Sequence, residues 1–181
     1  MYDKAIFKKL AKDAIRVYLT SGEFLEINED NLITYKGGDM LLDKLACFIS
    51  LNVRGELRGC IGTIYAEEKL YKNIIKYAIY AATKDNRFPN IKLEEVNELD
   101  IEISILTPLE ELQNIEDFIL GKNGLMIEKG RKSGLLLPQV AAEWDFSKQE
   151  FLEQLCFKAG LDKFAYKDGK SKIFKFSAII L

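Results

Sequence analysis

The chain has 181 residues, 48% of them hydrophobic and 30% charged, with a net charge of −2. That balance belongs to a folded globular domain and excludes a disordered chain, and the missing basic excess weighs against a nucleic-acid partner. Histidine is absent, which excludes a Ser-His-Asp triad, a Cys-His pair and a His-ligated metal.

The opening Met1-Tyr2-Asp3-Lys4 lacks the basic-then-apolar pattern of a secretory leader, and no apolar run reaches the ~20 residues of a membrane span, so a cytoplasmic protein is expected. Ile6, Leu10, Ala14 and Val17 recur at helical spacing and predict a helix over Tyr2 to Leu19, closed by Gly22. A polar segment follows to Met40, with a turn-like Lys36-Gly37-Gly38-Asp39. Cys47 to Val53 reads as a strand, Arg54-Gly55 as a turn, and Leu57 to Ile64 as the return strand of a hairpin. A second helix is expected over Glu67 to Lys84, with Glu67 and Glu68 in its first turn and Pro89 barring extension.

Ile101-Glu102-Ile103-Ser104-Ile105 alternates cleanly as a strand, apolar on one face and polar on the other. Leu125 to Glu128 and Gly134 to Leu137 flank Gly130-Arg131-Lys132-Ser133 as a second hairpin. Ser147 and Glu150 have capping-box spacing and open a helix carrying Phe151, Leu152, Leu155, Cys156 and Ala159, with Gly160 at its end. Lys172 to Leu181 reads as one closing strand. Two hairpins imply antiparallel pairing, so the expected class is α+β and not a doubly wound sheet. One domain is expected over residues 1–181.

The segment Leu57-Arg58-Gly59-Cys60-Ile61-Gly62-Thr63 carries the most chemistry. Glycine inside a strand marks a bulge, a bend or close approach by a backbone or ligand, which singles out Gly59 and Gly62. On an alternating strand Arg58 and Cys60 share a face, so the guanidinium can stabilise a thiolate or clamp an anionic substrate. Cys60 has two readings, a reactive thiol or a small buried apolar residue. Cys47 and Cys156 read as packing. The wide cysteine spacing fits neither zinc nor iron–sulfur ligation; no metal is expected, and no cofactor can be named. Glu102 and Ser104 point off one strand face, either lining a polar cleft or facing solvent. Asp85 and Arg87 read as an ion pair ordering the turn before Phe88-Pro89. Gln139 either starts a helix or aims its amide into a cleft.

The heptad at 57–63 resembles the signature of the AMMECR family. Further blocks resemble that family in order: Asp85-Asn86-Arg87-Phe88-Pro89, Glu102-Ile103-Ser104-Ile105-Leu106, Gly134-Leu135-Leu136-Leu137-Pro138-Gln139-Val140-Ala141, and Leu155-Cys156-Phe157-Lys158-Ala159-Gly160. The resemblance implies an AMMECR-type α+β domain of two lobes, the larger built from both termini, with the signature near the cleft between them. It also implies an accessory or binding component acting with a Memo-like protein and a radical SAM enzyme, the AmmeMemoRadiSam grouping. The CxxxCxxC pattern of radical SAM enzymes is missing from this chain. A rival reading is an enzyme using Cys60, Arg58 and Glu102 on a small organic substrate. No settled catalytic role comes with the resemblance.

Overall fold

In the computed structural model, which describes residues 3–33 and 38–181, the chain divides into two units, Met1–Leu106 with Ile179–Leu181, and Thr107–Ala178. Each has its own sheet and apolar core.

Helix α1 (Lys4–Ser21) is capped by the Asp3 carboxylate, which accepts from Ala5 N–H, and closes at Gly22, whose N–H bonds to Tyr18 C=O. Its apolar stripe buries Ile6, Phe7, Leu10, Ala11, Ala14 and Ile15, at the helical spacing expected, while Val17 of the expected stripe is only half-buried. The polar stretch after it is not irregular throughout: it holds two short helices, α2 (Glu29–Ile33) and α3 (Gly38–Leu42). Five residues span barely more than one turn, too little for a periodic pattern to register. Lys36 and Gly37 of the expected turn lie outside the described residues.

Strands β1 (Ala46–Val53) and β2 (Glu56–Gly62) form the expected hairpin. Its turn residues Arg54 and Gly55 both have positive φ, 53° and 84°, the backbone that a tight two-residue hairpin demands. A bulge between Leu51 and Asn52 shifts the register: Leu51 faces Gly59, Asn52 faces Leu57, and Arg58 is left unpaired. Helix α4 (Leu70–Thr83) starts three residues later than the sequence suggests, so Glu67 and Glu68 lie before the first turn. Lys69 takes the N-cap position, its C=O accepting from Lys72 and Asn73 N–H, and its ammonium pairs with Glu29 at 2.6 Å. A 3-10 helix at Leu93–Glu98 leads into β3 (Leu99–Leu106), which pairs antiparallel with β1 along its full length. Ile49, Leu51, Ile101, Ile103 and the α4 residues Leu70, Ile74 and Ala78 form the centre of this core. Each fully buried Ile or Leu contributes about 1.5–3 kcal/mol relative to exposure.

The second unit holds β4 (Glu110–Glu111), the hairpin β5 (Gly124–Lys129) and β6 (Lys132–Leu136), α5 (Gln139–Glu143), α6 (Lys148–Lys158) and β7 (Lys172–Phe176). Its sheet runs β4-β7-β5-β6, every pair antiparallel. The hairpin turn is tighter than expected, because Lys129 and Lys132 already pair across it. Ser147 and Glu150 form the capping box: the Ser147 hydroxyl accepts from Glu150 N–H, and Glu150 accepts from Ser147 N–H. Phe151, Leu152, Leu155 and Cys156 are buried beneath.

The closing run is two strands and not one. After β7 the chain breaks at Ser177 and forms β8 (Ala178–Ile180), which completes the first sheet in the order β2-β1-β3-β8. An apolar run alone does not say which sheet it joins. The fold is α+β, two antiparallel sheets with flanking helices, and no described helix is long and apolar enough to cross a membrane.

Candidate functional site

The site is built on the outer edge of the first sheet. In an antiparallel pair, residues alternate between those whose N–H and C=O face the partner strand and those whose groups face away. Thr63 N–H bonds inward to Cys47 C=O, so Cys60, three residues earlier, turns its N–H and C=O outward from the edge strand β2. Both groups are met by side chains from the turn after α4. The Asp85 carboxylate accepts from Cys60 N–H at 2.8 Å, and the Arg87 guanidinium donates to Cys60 C=O at 3.0 Å. Arg87 also grips Asp85 through two hydrogen bonds, Nε to Oδ1 at 2.8 Å and Nη2 to Oδ2 at 2.6 Å. Two side chains thus do for Cys60 what a neighbouring strand would do.

Asp85 is buried, its side chain 6% exposed, while Arg87 is mostly open to solvent. The arginine, helped by the Cys60 and Arg87 N–H groups, holds the Asp85 carboxyl at about 2 against an ordinary 3.8. Asp85 raises the Arg87 pKa in turn. A carboxylate held so low is a poor general base near neutral pH.

Because Cys60 and Ser50 are opposite neighbours in the register, their side chains stand side by side, with the Ser50 hydroxyl donating to the Cys60 sulfur at 3.3 Å. Glu102 is the next residue across, opposite Ser50 on β3. Cys60, Ser50 and Glu102 therefore form one row over three strands, and all three are half-buried. The adjacent row is Gly62, Phe48 and Ser104. Ser104 is buried, only 3% exposed, which removes solvent exposure as the reason for its polarity. A Cβ on Gly62 would lie 2.3 Å from the Cys47 carbonyl oxygen and 2.5 Å from both Cα and Cγ of Phe48, so this glycine lets the β1 main chain approach.

Gly59 faces the core side, beside Leu51 and Ile101. A Cβ there would lie 2.1 Å from the Ala81 carbonyl oxygen of α4. Of the causes that glycine in a strand can have, the one at work here is close approach of another backbone.

Arg58, displaced by the bulge, pairs with Glu95 of the 3-10 helix, Nη1 to Oε1 at 2.5 Å. That arginine and Lys92 N–H lower the Glu95 pKa. The two line a polar hollow of about 410 Å³ with Arg54, Glu56 and Glu98. The guanidinium bound to Cys60 is that of Arg87, and the polar partner of Arg58 is Glu95. Gln139 belongs to the second unit, half-buried as the first residue of α5. Ser50 and Glu95 are the two participants the sequence did not single out. Ser50 carries a faint signal, a lone hydroxyl inside the apolar run from Cys47 to Val53; Glu95 carries none.

The three thiols differ in access. Burial pushes Cys47 up to about 12 and raises Cys156 as well, whereas Cys60 is half-buried. At pH 8 only ~1 in 10,000 Cys47 side chains is the reactive thiolate. Iodoacetamide should therefore modify one thiol per native chain, mapped to Cys60 by peptide mass, and three after denaturation. Labelling of Cys47 or Cys156 ahead of Cys60 would contradict this placement.

Comparison with known proteins agrees with this architecture. The crystal structure of the uncharacterized protein PH0010 from Pyrococcus horikoshii superposes with a TM-score of 0.87 at 39% identity, covering 97% of this chain and 88% of that one. Protein PF1979 of Pyrococcus furiosus is 41% identical over 182 residues, 95% of this chain and 84% of its own length. A protein of Methanothermobacter thermautotrophicus is 38% identical over 178 residues, with 95% and 90% covered. The family model described as AMMECR1 matches residues 8–181, and the chain belongs to that family.

Proposed function

We propose that this protein is an accessory, binding component that acts beside a Memo-like protein and a radical SAM enzyme, the grouping that its family resemblance implies. The observation that carries the reading is the engagement of the signature residues by the scaffold itself. Asp85 and Arg87 hold the Cys60 peptide, Arg58 is paired with Glu95, and Gly59 lets α4 close on the sheet. A thiol nucleophile needs a base within hydrogen-bond reach, with a pKa near the working pH. The carboxylate bound to the Cys60 peptide, Asp85, is ion-paired and held at about 2. Glu102 is two strands from Cys60, a separation of roughly 10 Å at the strand level.

The test is co-expression with the Memo-like and radical SAM proteins of the same genome and anaerobic co-purification. Cys60→Ser should leave the amount recovered and the output of the assembly unchanged. Loss of output by ~10-fold or more, with association intact, would exceed the uniform-binding effect of a mere scaffold residue and sink the accessory reading.

One observation favours a second reading, a Cys60-dependent enzyme working on a small organic substrate. The Ser50 hydroxyl donates to the Cys60 sulfur at 3.3 Å, and Glu102 continues the row. This reading requires Cys60 to alkylate faster than free cysteine at neutral pH. A rate at or below that of the free amino acid removes it.

A further inference from the structure

We propose that an aromatic groove in the second unit docks a short amphipathic segment of a partner protein, one carrying bulky apolar side chains and a carboxylate. The inference rests on the accessory reading and names the chemistry of what is bound. The groove, about 710 Å³, is lined by Leu136, Val140, Trp144, Phe146, Phe157 and Lys158, with Gln154 at its side. Leu136 is buried in the second core and forms the floor. Trp144 and Phe157 are 70% and 78% exposed. Large aromatic rings left this open next to one another mark an interaction site more often than a neutral surface. The indole of Trp144 stacks on Phe146, centroids 6.4 Å apart and planes within 14°, so the platform is ordered before anything binds, which lowers the cost of ordering on association.

Size and charge choose the occupant. Aromatic side chains of 150–250 Å² exposed to this degree leave roughly 250–350 Å² uncovered, well under the ~800 Å² per partner of a stable dimer. A second copy of the chain is therefore a poor fit, and a short segment with two or three anchoring side chains is a good one. Lys158, in the last turn of α6, is the one charged residue in the lining. The neighbouring lysines of this unit are already paired, Lys163 with Glu153 and Lys148 with Glu116. No acid pairs with Lys158 among the described residues. A cation beside an apolar groove selects a carboxylate on the incoming segment.

Trp144 is the chain's only tryptophan, so intrinsic fluorescence reports on this groove directly. The probe is a synthetic amphipathic helical peptide with leucines at i, i+3, i+4 and i+7 and flanking glutamates, compared with a version carrying lysines at the glutamate positions. The acidic peptide should shift Trp144 emission to the blue and saturate, binding ~10-fold tighter than the basic one, a difference of one rim charge pair. Lys158→Glu should reverse that order, and Phe157→Ala, at an exposed position, should weaken the acidic peptide ~10-fold with the fold intact. No shift at millimolar acidic peptide overturns the proposal, as does equal binding of both peptides. A blue shift that grows with protein concentration alone assigns the groove to a second copy and overturns it too. If the peptide fails while the Memo-like and radical SAM proteins still co-purify, this surface falls and the accessory reading stands. Peptide binding without co-purification defeats the accessory reading instead.

Discussion

Gly59→Ala is expected to destabilise the first unit by about 3 kcal/mol or more, the upper range of single overpacking substitutions. The added methyl would sit 2.1 Å from the Ala81 carbonyl oxygen, a main-chain atom of a helix packed along the sheet. A side chain in the way can rotate aside; a helical carbonyl can retreat only if α4 shifts with it, and α4 carries the buried Leu70, Ile74, Ala78 and Ala82. Urea denaturation followed by far-UV circular dichroism should show the midpoint fall by about 1–2 M at ordinary urea sensitivities. Ala81→Gly should fail to rescue it, because the obstacle is backbone. A Gly59→Ala protein whose midpoint stays within ~0.3 M of the parent would show that the sheet and helix have slack here, and the steric account of the signature glycine would be wrong.

Asp85→Asn should cost about 2–3 kcal/mol, the range for leaving buried polar partners mismatched. The amide keeps one acceptor, but its NH₂ must face a donor, either Cys60 N–H or the Arg87 guanidinium. Hydrogen exchange of the Cys60 amide should speed up accordingly. The acid limb of stability gives an independent check. The folded-state pKa of Asp85, about 2, lies below its ordinary 3.8, so between those values the folded chain binds fewer protons than the unfolded one. Its contribution is complete above about pH 4 and disappears as pH falls toward 2, amounting to about 2 kcal/mol. Parent and Asp85→Asn should therefore differ most at neutral pH and converge near pH 2. A constant difference from pH 6 to pH 2 would show that the carboxylate does not act through its charge.

Much of the fold could be read from the sequence because it rests on local rules. Arg54-Gly55 announced the hairpin turn, Ile101 to Ile105 its strand by alternation, and Ser147 with Glu150 the start of α6. The features that escaped are long-range or short of a full period. Nothing within Asp85-Asn86-Arg87 says that its side chains will cap the edge of a strand 25 residues away. The bulge opposite Leu51 and Asn52 breaks the simple alternation from which Arg58 and Cys60 were expected to share a face, and Glu95 takes the arginine. Helices α2 and α3 were too short to show a stripe. Lys69 is not a residue type that announces a helix start, which is why α4 was expected to begin at Glu67. The candidate residues themselves were legible as residue types; their partners were not.

The division of the chain has a consequence for biosynthesis. Residues 179–181 belong with 1–106, and the N–H and C=O of Leu181 both bond to Ile103. A ribosome delivers 107–178 first, so the unit that begins earlier is finished later. Until residues 178–181 emerge, the flank of β3 that β8 covers is open on the nascent chain, and an unpaired strand edge is where mispairing begins.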